Sequence, residues 1–244
     1  MGYNTRYRSF NDSSFLPTGV KWLLISNVVI FLLFYIAPEA VKENALMLSL
    51  VPVMVLKHFA IWQLATYMFL HGGIEHILFN MLALWMFGTT LEQDWGTRRF
   101  LKYYFLCGIG AGMCDVAVNG LMGNWGTHTI GASGAIFGLL IAFGVLYPNQ
   151  IVLFFFIFPM KAKYMVMIVG AIAFLGALNV NSGVSNVAHL GGMAFGYAYL
   201  RLRFFHVDLD YFNREYKAWK LRRAKKRFQV YLRKHGSDRD TFVN

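Results

Sequence analysis

Long apolar runs, separated by short polar or mixed segments, set the plan of this chain. After a polar start over residues 1–19, with Arg6, Arg8, Asn11, Asp12, Ser13 and Ser14, the stretch from Val20 to Ile36 carries no charge beyond Lys21. Five more runs follow at 73–91, 100–118, 132–147, 164–178 and 186–202. Each is long enough, or nearly so, for a helix crossing a hydrocarbon core, which takes about 20 residues. The last three are short, which predicts a locally thin bilayer or helices that begin below its surface. The connection from Ala37 to about Thr66 mixes Glu39, Lys42, Glu43 and Lys57 with Leu56, Phe59 and Trp62, the pattern of a partly membrane-embedded loop. Ile151 to Phe158 is apolar but too short to span, so it is expected to be interfacial. The predicted fold is all-α: a polytopic bundle of six transmembrane helices over 20–202, between a segment at 1–19 and a tail at 203–244.

Composition agrees with that class. Of 244 residues, 57% are hydrophobic and only 14% charged, with a mean hydropathy of +0.46. This is too apolar for an ordinary soluble domain of the same length. The net charge of +11 matters through its placement. Of 23 Lys and Arg, 21 fall before or at the start of the first run (Arg6, Arg8, Lys21), before or at the start of the third (Arg98, Arg99, Lys102), between the fourth and fifth (Lys161, Lys163), or from Arg201 onward; only Lys42 and Lys57 lie on the other side. By the positive-inside rule both termini are cytoplasmic, which requires an even number of spans. Ala37-Pro38-Glu39-Ala40 loosely fits the end of a cleaved signal at Val20–Ile36, and cleavage would preserve the remaining loops; yet a retained first span accounts for Arg6 and Arg8, and the apolar run continues through Tyr35 and Ile36 without a good small-residue site. Retention is therefore favoured. The Met-Gly start is no myristoylation signal, because Arg6 stands where Ser or Thr is needed. Cys107 and Cys114 share one apolar run and form neither a disulfide framework nor a metal pattern. In the tail, Phe212, Tyr216, Trp219, Phe228 and Tyr231 recur among basic residues. This is either a solvated cytoplasmic tail or an amphipathic segment on anionic lipid, and it needs no nucleic-acid partner.

Candidate chemistry centres on Gly131 to Gly138, GASGAIFG, where small residues flank Ser133 at the head of an apolar helix. One reading is close helix packing, the common use of Gly, Ala and Ser in membranes; the other is a nucleophile. Topology bears on the choice. The second, fourth and sixth runs start on the same side and open with His71, Glu75, His76 and Asn80, with Ser133, and with Asn186 and His189 respectively. Polar groups at one depth on three helices are expensive in a membrane and mark a functional site. Zinc fits poorly: His71 and His76 are five residues apart, about 140° around a helix, and nothing obvious completes a ligand set. Ser133 and His189 make the better pair, since an imidazole that accepts the serine proton activates a weak nucleophile. The Ser133 N–H, at a helix amino terminus, and His76 and Asn80, on one face of the second run, are placed to stabilise an oxyanion. Gly192 and Gly196, like Gly134 and Gly138, form small-xxx-small faces that would draw the fourth and sixth helices together. Asp115, the one carboxylate available as a third member, has no spacing that puts it beside His189.

These residues make the chain resemble the rhomboid family of intramembrane serine proteases, in its six-span bacterial form. The resemblance covers roughly Trp62 to Gly196 and rests on HGGIEHILFN, EQDWGTRRF, GASG and AHLGG in that order. It implies Ser133 as nucleophile, His189 as base, and Asn80, His76 and the Ser133 backbone as the oxyanion hole, with His71, Phe137, Gly131, Gly192 and Gly196 supporting the site. Gln63 follows Trp62 where some members carry arginine, so no role of that charge carries over to this chain. Phe137 replaces a tyrosine found in many members, which keeps stacking on the base and loses a hydroxyl. The implied activity is hydrolysis of a peptide bond in or near the membrane segment of a single-pass protein, in a bacterial inner membrane, without metal or cofactor. A catalytically silent rhomboid-like protein that binds or escorts membrane helices is the alternative; a transporter would show paired repeats, and none is visible.

Overall fold

The computed structural model describes residues 16–38, 46–154, 157–178 and 185–202, with Lys220, Arg223 and Lys225 beyond them. The expected amino-terminal segment falls outside the described residues through residue 15, and the expected basic tail does so apart from those three. Two compact units divide the chain, Met1–Tyr199 and Leu200–Asn244, and the candidate site lies wholly in the first.

Helices dominate, because an apolar run in lipid satisfies its backbone polar groups only by bonding them within the segment. Helix α1 spans Thr18–Ile36. In the loop that follows, Pro52 starts α2 (Pro52–His58), its missing N–H costing nothing at a first helical position. That helix ends on Phe59 in the left-handed region. A short α3 (Gln63–Thr66) runs into a tighter turn at Tyr67–Phe69. Helix α4 covers Ile74–Trp95, with a π turn at Leu84–Gly88. Gly96, at φ 77°, breaks the chain before α5 (Thr97–Leu121). Then come α6 (Ser133–Leu146), α7 (Ala162–Ala177) and α8 over 186–202. Of these, α1, α4 and α5 are long and apolar enough to cross a membrane by length and composition; α6 and α7 are apolar but shorter.

Two expectations change. Helix ends lie outside several expected limits, α4 reaching Trp95 and α5 running from Thr97 to Leu121, because the polar residues there continue the hydrogen-bond ladder. The fold is also not purely helical. Within the expected interfacial run, β1 (Ile151–Phe154) pairs antiparallel with β2 (Phe158–Lys161), Ile151 facing Lys161, so that this short segment satisfies its backbone by pairing with its own continuation.

Burial is arranged inside out. Helix α6 is apolar all round and buries Ala135, Ile136, Leu139, Ala142 and Phe143, as a central helix must. Phe100, Tyr103 and Tyr104 of α5 are fully buried beside it. Large apolar side chains face outward instead on α1, where Ile36 is 76% exposed, and on α7, where Met167 and Leu175 stand free. Exposed apolar side chains of this kind suit a lipid surrounding. Glu92 joins α4 to α1: its two carboxylate oxygens accept the N–H groups of Gly19 and Val20, each at 2.7 Å, and Thr97 Oγ1 donates to it at 2.6 Å. A carboxylate from another helix thus caps the first turn of α1, where unpaired amides and the helix dipole favour negative charge.

Candidate active site

Ser133 is the first residue of α6, so its N–H belongs to a turn whose amides have no intrahelical acceptor. The first bond of the ladder runs from Ile136 N to Ala132 O, at 3.1 Å. His189 stands in the first turn of α8. Its Nε2 lies 2.8 Å from Ser133 Oγ, a hydrogen bond across 56 residues of sequence. Phe137, one turn beyond the serine, stacks on the imidazole with centroids 4.1 Å apart and planes 6° from parallel. The ring is therefore held flat while its edge meets the hydroxyl.

What brings the two helices so close is the absence of side chains. A Cβ at Gly192 of α8 would overlap the Gly134 carbonyl oxygen and lie 2.8 Å from the Gly134 carbonyl carbon. One turn on, a Cβ at Gly196 would lie 2.5 Å from the Tyr103 hydroxyl, which itself donates to the Gly138 carbonyl at 2.7 Å. Tyr103 of α5 is thus a peg against α6, a role that an aromatic residue inside an apolar run does not advertise.

His76 and Asn80 approach from α4 on the other side. A Cβ at Gly131 would lie 2.6 Å from His76 Nε2 and 3.8 Å from Asn80 Nδ2, and Gly131 takes a φ of 118° that favours glycine. Both nitrogens are therefore set beside the backbone that leads into Ser133. Gly72 N donates to His76 Nδ1 at 3.4 Å, which puts the proton of the neutral ring on Nε2, the atom nearest Gly131. Asn80 Nδ2 is buried with no hydrogen-bond partner, an uncommon state for a donor and one expected where a ligand atom is meant to arrive. His71 lies edge-on to His76, with ring centroids 5.0 Å apart. Burial, then the neighbouring His76, holds the His71 pKa down to about 4 and keeps it neutral at physiological pH.

A cavity of about 610 Å³ opens over these groups, lined by His76, Ser133 and His189 and extending to Asp115, His128 and Asn186. Asp115 is not hydrogen-bonded to His189. Its carboxylate accepts Asn119 Nδ2 at 3.0 Å, Thr129 Oγ1 at 2.8 Å, and Ser185 Oγ. Gln63 is buried and ties the loop between α1 and α4 to itself, accepting Val51 N at 3.1 Å and donating to Met47 O at 2.9 Å. A neutral amide, able to give and take, serves there where a guanidinium could only give. Neither Tyr103 nor this bonding of Gln63 has a signal in the sequence, and Glu92 shows there only as the first residue of the turn EQDWGTRRF.

Comparison with known proteins bears on the whole arrangement. The sequence profile of the Rhomboid domain matches residues 58–205. The chain is 33% identical over 172 residues to RHOMBOID-like protein 1 of Arabidopsis thaliana, covering 70% of this chain and 41% of that protein. It is 35% identical over 136 residues to rhomboid protease GluP of Bacillus subtilis, covering 56% of this chain and 25% of that protein. The chain thus spans less than half the length of either relative. With the family profile matching more than half of its residues, and with apolar helices that suit a multi-pass membrane protein, the chain belongs to the rhomboid family.

Proposed function

We propose that this chain is an intramembrane serine endopeptidase working through Ser133 and His189. The observation that carries the reading is the 2.8 Å contact between His189 Nε2 and Ser133 Oγ at the edge of a cavity within a bundle of apolar helices. In the proposed reaction Ser133 Oγ attacks the scissile carbonyl while His189 Nε2 takes the hydroxyl proton. The developing oxyanion is met by the Ser133 N–H, by Asn80 Nδ2 and by His76 Nε2–H, donors fixed before the charge appears. His189 then returns the proton to the leaving amine, and an acyl-enzyme remains on Ser133. Water entering by the cavity attacks the ester carbonyl while His189 takes its proton; the bond to Ser133 Oγ then breaks, His189 gives the proton to that oxygen, and the acid product leaves. The side chains, the Ser133 N–H and one water complete this cycle, which therefore calls for no cofactor. Phe137 keeps the imidazole plane fixed throughout, and His71 supports His76 from behind.

The substrates are single-pass membrane proteins, cleaved in or near their membrane segment. The chain crosses a bacterial inner membrane six times, α1, α4, α5, α6, α7 and α8 being the spans, with both termini in the cytoplasm and the basic tail against anionic lipid. The distribution of Lys and Arg supports this orientation.

The test is cleavage of a single-pass reporter by detergent-purified protein, beside Ser133→Ala and His189→Ala. Both variants should lose cleavage, and Ser133→Ala should also lose labelling by a fluorophosphonate probe. Undiminished cleavage by the serine variant refutes the proposal. A wild type that binds the reporter and neither cleaves it nor takes the label supports helix binding without proteolysis.

A further inference from the structure

Asp115 is fully buried in α5, in a helix whose packing an apolar residue would serve without desolvating a carboxylate. Three donors converge on it: Asn119 Nδ2 one turn along, Thr129 Oγ1 and Ser185 Oγ. The last two share a relation to the site. Thr129 stands four residues before Ser133, and Ser185 stands four residues before His189.

Each of them steers the segment that follows. Ser185 precedes α8, where its Oγ accepts Ala188 N at 3.2 Å and its carbonyl accepts His189 N at 3.3 Å, so it caps the turn that carries the imidazole. Thr129 is paired with Leu50 in both directions at 2.9 Å, and two residues later Gly131 N donates to Tyr67 O at 2.9 Å. The segment leading to Ser133 is thereby pinned to the loop before α4. One carboxylate thus grips the approach to both ends of the Ser133–His189 bond.

We infer that Asp115 is a positioning residue, a clasp that sets the separation of Ser133 and His189 by holding Thr129 and Ser185 together. It acts through those hydroxyls and not on the imidazole, since its hydrogen bonds run to Asn119, Thr129 and Ser185. The inference rests on the serine-protease reading above.

The experiment uses the full-length protein in detergent with the single-pass reporter, and compares wild type with Asp115→Ala, Asp115→Asn, Ser185→Ala and the double Asp115→Ala/Ser185→Ala. Asp115→Ala should lower kcat per folded enzyme by about 10- to 100-fold, the range for loss of catalytic alignment, with KM within ~2-fold of wild type. Fluorophosphonate labelling of Ser133 should slow by the same factor. Asp115→Asn, which keeps one acceptor, should fall between wild type and alanine. The double variant should be no slower than Asp115→Ala, because the two residues act as one unit. Wild-type kcat in folded Asp115→Ala, a loss confined to KM, or single losses that multiply in the double variant would each overturn the clasp. Should Asp115→Ala not fold, Asp115→Asn and Ser185→Ala carry the same comparison, wild-type kcat in both overturning it. A wild type that neither cleaves nor labels overturns the protease reading and the clasp together. An active wild type with a dead Ser133→Ala and fully active Asp115 variants overturns the clasp alone.

Discussion

The smallest change that should disable the site is one methyl group at Gly192. In Gly192→Ala the new Cβ would overlap the Gly134 carbonyl oxygen and lie 2.8 Å from its carbon. Carbon atoms in comfortable contact are about 3.5–4.0 Å apart, so α8 must back away from α6 by roughly 1 Å. The Gly134 peptide follows Ser133 directly, and Gly192 lies three residues after His189, so little of that shift is absorbed before it reaches the pair. A hydrogen bond of 2.8 Å would open to about 3.8 Å, beyond bonding range. Misplacement of this size costs about 100-fold in rate, or roughly 2.7 kcal/mol of barrier. Overpacking should lower stability as well, by about 1–3 kcal/mol. Reporter cleavage and the rate of fluorophosphonate labelling, both normalised to folded protein, read the first effect; thermal melting reads the second. Gly170→Ala is the control, since its Cβ would meet the Met193 methyl at 3.2 Å, and a flexible methionine can swing aside. It should keep wild-type turnover. A folded Gly192→Ala enzyme with wild-type kcat would refute the argument that glycine at this contact sets the catalytic distance.

Two other substitutions separate chemistry from scaffolding. Asn80→Ala should lower kcat by about 100- to 1,000-fold, the usual cost of one oxyanion donor, while melting barely moves because the Nδ2 it removes has no partner in the resting protein. Glu92→Ala should do the reverse: it strips the acceptor from Gly19 N, Val20 N and Thr97 Oγ1, at about 1.5–3 kcal/mol for each hydrogen bond to a charged group, seen as a lowered melting temperature, with turnover per folded molecule retained.

Much of this architecture is legible in the sequence because lipid leaves few options. A long apolar run becomes a helix there, and polar residues that open such a run are costly; hence Ser133, His189, His76 and Asn80 can be singled out before any fold is known. Gly192 can be read as a packing residue for the same reason. What cannot be read is the partner of a residue whose contact lies far along the chain. Glu92 meets Gly19 across 73 residues, and Asp115 meets Ser185 across 70. Spacing along one helix carries no information about such pairs, so Asp115 looks idle in the sequence although three side chains bond to it in the fold. The hairpin at Ile151–Phe154 and Phe158–Lys161 escapes for a different reason: a short apolar run has no period that tells strand from interfacial helix.

The π turn at Leu84–Gly88 sits between Asn80 and Glu92, and it gives α4 a property that an uninterrupted helix lacks. A π turn holds one residue more than the α-helical ladder needs, and each residue of an α-helix turns the chain by about 100°. The extra residue therefore acts as a phase shifter. It lets the first half of α4 address the backbone before Ser133 while the second half is dialled independently to aim Glu92 at the start of α1. Removing one residue from the turn would restore a regular ladder and swing Glu92 away from Gly19, uncoupling the rotational setting of the site from that of its anchor.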